Sequence, residues 1–201
     1  MSKIKLPNVR INFARLFKAE GFQGSSENAK YNAQFILDSE NPAHMKAVKK
    51  IRAEIMTLGQ EKWGKKWKGG DMNVLGYCLK SADEELQGEQ FVTEINVEDD
   101  DGNTPDYLIG AYQLAASEKT RPTVVNAKKE PITEEDNIIY DGCYVTAIIG
   151  LWAQDNKFGK RINANLIGVQ FKGNGEAFGS AAERASDDDF DDDDFEEDED
   201  L

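Results

Sequence analysis

The sequence predicts a mainly β protein: a small, closed, five-stranded barrel with one inserted amphipathic helix and a disordered acidic C-terminal tail. Three observations carry that prediction. Several segments alternate apolar and polar residues with period 2, most strongly over 143–154 and 161–172, each with an interior glycine, Gly150 and Gly168. Mid-strand glycines commonly mark the bulges or bends that closing a small barrel requires. One stretch, from Met45 to Leu58, instead repeats its apolar residues at spacings of three and four. Finally, the last fifteen residues read DDDFDDDDFEEDEDL, twelve of them Asp or Glu, which is too little apolar surface and too much self-repulsion to order.

Taken in chain order, residues 3–17 alternate Val9, Ile11 and Phe13 with Arg10 and Asn12, as a half-buried strand does, and Pro7 suits its start or an edge. A polar, Gly-containing loop over 20–29 leads into a second strand, KYNAQFILD, at 30–38. Consecutive strands joined this way pair antiparallel. Asn41-Pro42 then starts a helix, Asn capping free amides and Pro occupying the first turn. Met45, Val48, Ile51, Ile55 and Leu58 form its apolar face, and Lys46, Lys49, Lys50 and Arg52 its polar one. The helix ends in EKWGKKWKGG at 61–70, whose lysines and tryptophans suit either a solvated surface or phosphate contact.

Residues 81–106 hold ten acids and no base, and read as a mobile excursion with a short strand near 91–97 and a turn at Gly102. The VEDDDGN run lacks the closing Glu of a calcium loop, so no metal is expected there. Strand character returns at 107–116, where alternation is expected to bring aromatic residues, Tyr112 among them, to a surface. A short strand at 123–125 sits between Lys119 and Arg121 on one side and Lys128 and Lys129 on the other. In 143–154 the odd positions Cys143, Val145, Ala147, Ile149 and Leu151 face one way, and Tyr144, Thr146, Ile148 and Trp152 the other. DNKFGK at 155–160 is the turn of a hairpin returning along 161–172.

The net charge of −14 conceals a segregation. Residues 1–80 sum to +8, 81–106 to −10, 107–186 to zero and 187–201 to −12. A cationic surface on the body is therefore compatible with an acidic chain. Two distant cysteines and a single histidine make no zinc site and no nucleophile–base set, and no phosphate-binding glycine loop occurs. Catalysis and cofactors are not expected. No signal-peptide pattern or long apolar run is present, so a soluble cytoplasmic protein with reduced thiols is expected.

What remains is aromatics interleaved with cations on strands, the combination that stacks bases and tracks phosphates of single strands. The candidate residues are Lys3, Arg10, Lys30, Tyr31, Tyr112, Lys119, Arg121, Lys128, Lys129, Tyr144, Trp152, Lys157, Phe158, Lys160 and Arg161. In the tail, Phe190, Phe195 and Leu201 are the apolar anchors.

The order of Lys30-Tyr31, EKWG at 61–64, KTRPTVVNA at 119–127, YDGCYVTAIIGLWA at 140–153, GKRINANLIGVQF at 159–171 and the Asp/Phe tail resembles the bacteriophage single-stranded DNA-binding proteins. These carry an oligonucleotide/oligosaccharide-binding (OB) fold, a Greek-key barrel, and an acidic tail. The resemblance implies a role in DNA replication, recombination and repair, a homodimer, a host-cytoplasmic location, and recruitment of the phage DNA polymerase and helicase through the tail. It divides the chain into an OB domain at 1–172, a flexible linker at 173–186 and the tail at 187–201. The family's tails end in an aromatic residue, whereas this one ends in Leu201. The competing reading is an acidic DNA mimic or chaperone-like protein that binds basic proteins rather than DNA.

Overall fold

The structure, a computed structural model, describes residues 2–21, 27–69 and 74–178. Five strands form a closed ring: β1 (Lys3–Glu20), β2 (Lys30–Asp38), β6 (Ala111–Glu118), β8 (Tyr144–Asn156) and β9 (Gly159–Gly173). β1 pairs antiparallel with β2 and with β8, β2 with β6, and β8 with β9. The ring is completed by a parallel contact between β6 and β9 with one register pair, Ala116 opposite Ala164. This is an OB-like barrel. The shorter strands β3 (Val74–Tyr77), β4 (Leu79–Ser81), β5 (Thr93–Glu94) and β7 (Thr123–Val125) extend it at its edges.

β1 can serve two partners because it is bent twice. Asn8 (φ 49°) and Phe13 (φ 48°) take left-handed backbone conformations where its registers with β8 and β2 shift. Such a φ is unusual for a bulky residue. At Phe13 it is held by Asn12 Oδ1, which accepts from the Phe13 amide at 2.9 Å, and by Asp141 Oδ1, which accepts from Ala14 at 3.1 Å.

Alternation along the strands puts Val9, Ile11, Ala33, Phe35, Leu37, Val145, Ala147, Ile149, Leu151, Ile162, Ala164 and Leu166 inside the ring. The expected facing of β8 holds: its odd positions are buried, and Tyr144, Ile148 and Trp152 are half-buried on the outside. Helix α1 (Pro42–Trp63) starts as its sequence predicts, Asn41 Oδ1 accepting from Ala43 and His44. Its buried face of Ala47, Val48, Ile51 and Ile55 joins the same core. The His44 ring is structural: Nδ1 accepts from the Asp38 amide at 3.0 Å, and Nε2 lies 3.2 Å from the Asn8 carbonyl.

Several expectations change here. The acidic stretch 81–106 is folded against the barrel rather than free. Asp83 caps the short helix α2 (Glu84–Gln87) and also accepts from the Gly110 amide, and Glu89 pairs with Arg52 of α1. Tyr112 is fully buried. The segment 106–108 is a 3-10 turn, Gly110 (φ 64°) breaks the run, and the strand begins only at Ala111. The alternation expected from Tyr107 therefore does not continue into β6.

Residues 174–178, expected to lie in the flexible linker, rest against the barrel. The Phe178 amide donates to the Asp141 carbonyl at 3.0 Å, and the Tyr140 hydroxyl bonds the Gly175 backbone at 2.8 Å. The tail residues Phe190, Phe195 and Leu201 lie outside the described residues. No described helix is long and apolar enough to cross a membrane.

Candidate nucleic-acid interface

β6 and β9 meet at a single register pair, and a groove lies over that seam. β9 and β6 diverge on either side of the Ala116–Ala164 contact, and the chain crosses the gap as β3 passes into β4. β3 pairs with β9, β4 with β6, and the Ala115 amide donates to the Cys78 carbonyl between them at 3.1 Å. Small residues (Ala33, Gly76, Ala115, Ala116 and Ala164) line the floor and leave a groove of about 300 Å³.

The walls are chemically one-sided. Lys30 on β2, Lys80 on β4 and Arg161 on β9 supply three cations, and none of the lining residues is a carboxylate. Asn32, Gln34, Ser117, Gln154 and Asn163 add neutral donors and acceptors, and Tyr77 and Trp152 add aromatic rings. Gln154 Oε1 accepts from Asn163 Nδ2 at 3.4 Å, which fixes both amides across the β8–β9 pair. The Cys78 thiol is pushed up to about 12 by its burial, so it stays protonated and is no nucleophile. The lining thus combines positive charge, neutral hydrogen-bonding groups and aromatic rings.

The β8–β9 hairpin overhangs one end. Phe158, at its tip, is 69% exposed, with Lys157 Nζ 5.0 Å from its ring centre. Gly159 (φ 98°) lies under Leu75, so a side chain there would collide with Leu75 as well as strain the turn.

Of the residues expected from sequence, Lys30, Trp152 and Arg161 meet in the groove. Lys157, Phe158 and Lys160 stand on the hairpin beside it. Tyr31 faces Glu118 across the β2–β6 pair, and Lys119 and Arg121 follow that strand end, with Arg121 5.6 Å from the Phe17 ring. The others lie elsewhere. Lys3 lines a separate depression with Lys5, Ile148 and Ile167. Lys128 borders another with Tyr140 and Phe171, and Lys129 is in the same turn. That turn adjoins residues 168–170 of β9, about 23–30 Å along the strand from Arg161 at the usual rise per residue.

Arg10 and Tyr144 sit at the far end of β8 from Trp152. Arg10 is occupied there: its guanidinium stacks 4.1 Å from the Phe178 ring centre and donates to the carbonyls of Gly142 and Glu176. Tyr112 is excluded by burial. Its hydroxyl donates to Glu89 and lies 3.4 Å from Arg52. Burial and the Glu89 hydrogen bond push that phenol up to about 12. Tyr77 and Lys80 were not foreseen. Their strands are short and show no alternation, and only the crossing at the seam brings them in.

Across residues 2–201 the sequence matches the family model described as "Enterobacter phage Enc34, ssDNA-binding protein". The chain belongs to that family. It is 34% identical over 205 residues to the putative protein p50 of Acyrthosiphon pisum secondary endosymbiont phage 1, covering 99% of this chain and 98% of that one. Among solved structures, it is similar to the single-stranded DNA-binding protein from bacteriophage Enc34 in complex with ssDNA. That likeness has a TM-score of 0.68 and 28% identity over 88% of this chain and 89% of that one. A further likeness, to gp2.5, a single-stranded DNA-binding protein of bacteriophage T7, is one of fold: TM-score 0.52 and 13% identity over 92% and 99% of the two chains.

Proposed function

We propose that this protein binds single-stranded DNA in the groove over the β6–β9 seam. The observation that carries the reading is the lining itself: three cations, two aromatic rings, five neutral polar side chains and no carboxylate. In OB barrels the second and third strands and the loops flanking them and the last hairpin are the oligonucleotide face. Counted around this ring, those strands are β2 and β6, and the hairpin is the one that carries Phe158. Bases would stack on Trp152 and Tyr77 while Lys30, Lys80 and Arg161 contact the backbone. Stacking is tolerant of sequence because every base has a π face, so coating rather than site selection is the activity.

In this reading the protein covers exposed strands during phage DNA replication, recombination and repair in the host cytoplasm, as a homodimer. The chain divides into the binding domain at 1–172, a connection at 173–186 and an acidic tail at 187–201. The tail's carboxylates compete with DNA phosphates for the cationic groove and, once displaced, recruit the phage DNA polymerase and helicase through Phe190, Phe195 and Leu201. Titration with oligo-dT, followed by tryptophan fluorescence, tests the core of the proposal. Saturable quenching with a site size of several nucleotides is expected. An absence of response at low salt would instead favour an acidic protein that mimics DNA.

A further inference from the structure

The stretch EKWGKKWKGG is not consumed by the groove, yet the structure joins it to the groove through a line of rings. Tyr77, which lines the groove, meets Phe91 edge-on at 5.4 Å between centres. Phe91 stacks on Trp67 at 5.7 Å, and Trp67 meets Trp63 edge-on at 5.1 Å. The two middle rings are buried, each 5% exposed. The two end rings, Tyr77 and Trp63, are half-buried.

Trp63 is also tied to the hairpin. Its indole N–H donates to Asp155 Oδ2 at 3.1 Å, and Lys160 Nζ lies 5.8 Å from its ring centre. Asp155 and Lys160 pair across β8 and β9, next to the Gln154–Arg161 pair in the groove. Trp152 lines the groove on one side and, on the other, a depression shared with Leu58 and Lys62 of α1. Trp152 and the Asp155–Lys160 pair thus stand between the groove and Trp63, with the carboxylates of Asp155 and Glu61 beside them.

Beyond Trp63 the surface becomes cationic. Lys65, Lys66 and Lys68 are exposed on the loop after α1, and none forms an ion pair among the described residues. A favourable helix dipole accounts for Lys62 in the last turn, but the dipole's influence fades within that turn. The three following lysines lie past the cap at Gly64. They border a depression with Trp63 and Trp67.

We infer that a single strand leaving the groove beyond Trp152 continues over Trp63, with Lys65, Lys66 and Lys68 contacting its phosphates. This rests on the proposed binding of single-stranded DNA in the groove. The loop then lengthens the site rather than strengthening its centre. Its test is the full-length Lys65→Ala/Lys66→Ala/Lys68→Ala variant, titrated with dT oligomers of about 4 to about 16 nucleotides, the span of OB site sizes. The substitutions are on exposed side chains, so an unchanged melting temperature is the folding control.

The unsubstituted protein gains affinity with oligomer length until the path is filled. The variant is expected to match it on the shortest oligomer, to reach its plateau at a shorter length, and to lose about 2 from the salt-dependence slope on the longest, about 0.7 per phosphate contact. An unchanged plateau and slope would overturn the inference. So would an equal loss at every length, which would show a general field rather than added contacts. Tighter binding by the variant would overturn it too, by showing that the loop holds the acidic tail. A parallel Arg161→Ala variant separates the two levels: it should weaken the shortest oligomer. If it does not, the groove reading falls and takes this inference with it.

Discussion

Replacing Trp152 with alanine is the most direct challenge to the groove. The ring is half-buried on the outer face of β8, whereas its neighbour Leu151 points into the barrel and is 1% exposed. Removing the indole therefore takes away a stacking platform and leaves the core packed. Base–aromatic stacking contributes about 1–3 kcal/mol per base. At about 1.4 kcal/mol per tenfold, the Trp152→Ala protein should bind oligo-dT about 5- to 150-fold more weakly. Fluorescence anisotropy of a labelled oligomer at several fixed salt concentrations measures this. The slope against salt should not change, because no charge is removed. Trp152→Phe, which keeps a ring, should recover most of the lost affinity. A loss of less than about twofold for the alanine variant, about 0.4 kcal/mol by the same conversion, would refute stacking at Trp152.

Further outcomes follow from the geometry and from the charge distribution along the chain. Glu89 accepts from both Tyr112 and Arg52, so Glu89→Gln should destabilise the fold by about 1–3 kcal/mol, read by denaturant unfolding, because it weakens the acceptor of two partly or fully buried donors. Burial raises the Glu89 carboxyl, but the hydrogen bonds from Tyr112 and Arg52 and the Arg52 charge outweigh it and hold it below its usual value near 4.5. Its stabilisation is therefore complete above that value and is lost as pH falls through the lowered one. Thermal melts of the wild type should drop on acidification in that window more than those of Glu89→Gln. Arg10→Ala should release residues 174–178, seen as faster proteolysis near Phe178, while leaving affinity for short oligomers unchanged; a loss of affinity there would return Arg10 to the binding site. Deleting 187–201 should tighten oligo-dT binding, most of all at low salt, and equal or weaker binding would remove the tail as a competitor.

What could be seen in the sequence was whatever repeats long enough to carry a period. β2, α1, β8 and β9 run for nine residues or more, long enough to be read from the sequence, and the faces read for α1 and β8 fall where the pattern puts them. β3 and β4 are four and three residues long, too short to show a period, and with them went Tyr77 and Lys80. The acidic segment was misjudged because its charges looked unpaired. Arg52, on the helix, is remote in sequence from Glu89, and only the fold brings them together. Arg10 and Tyr144 show a different limit. The two side chains do meet, at 5.9 Å, but sequence does not say which end of a strand lies over the groove.

Because Lys3 of β1 stands opposite Gly150 of β8, the ring joins the beginning of the chain to strands made near its end. Before β8 and β9 are in place, β1, β2 and β6 amount to an open three-stranded sheet with one apolar face uncovered, and the seam has no second side. Loop-closure entropy must be met before these distant pairings return anything, so folding belongs to the millisecond-to-second regime of non-local β topologies. The groove and the closed core depend on the same seam. Destabilised variants should accordingly lose binding and compactness together, with no intermediate that retains one without the other.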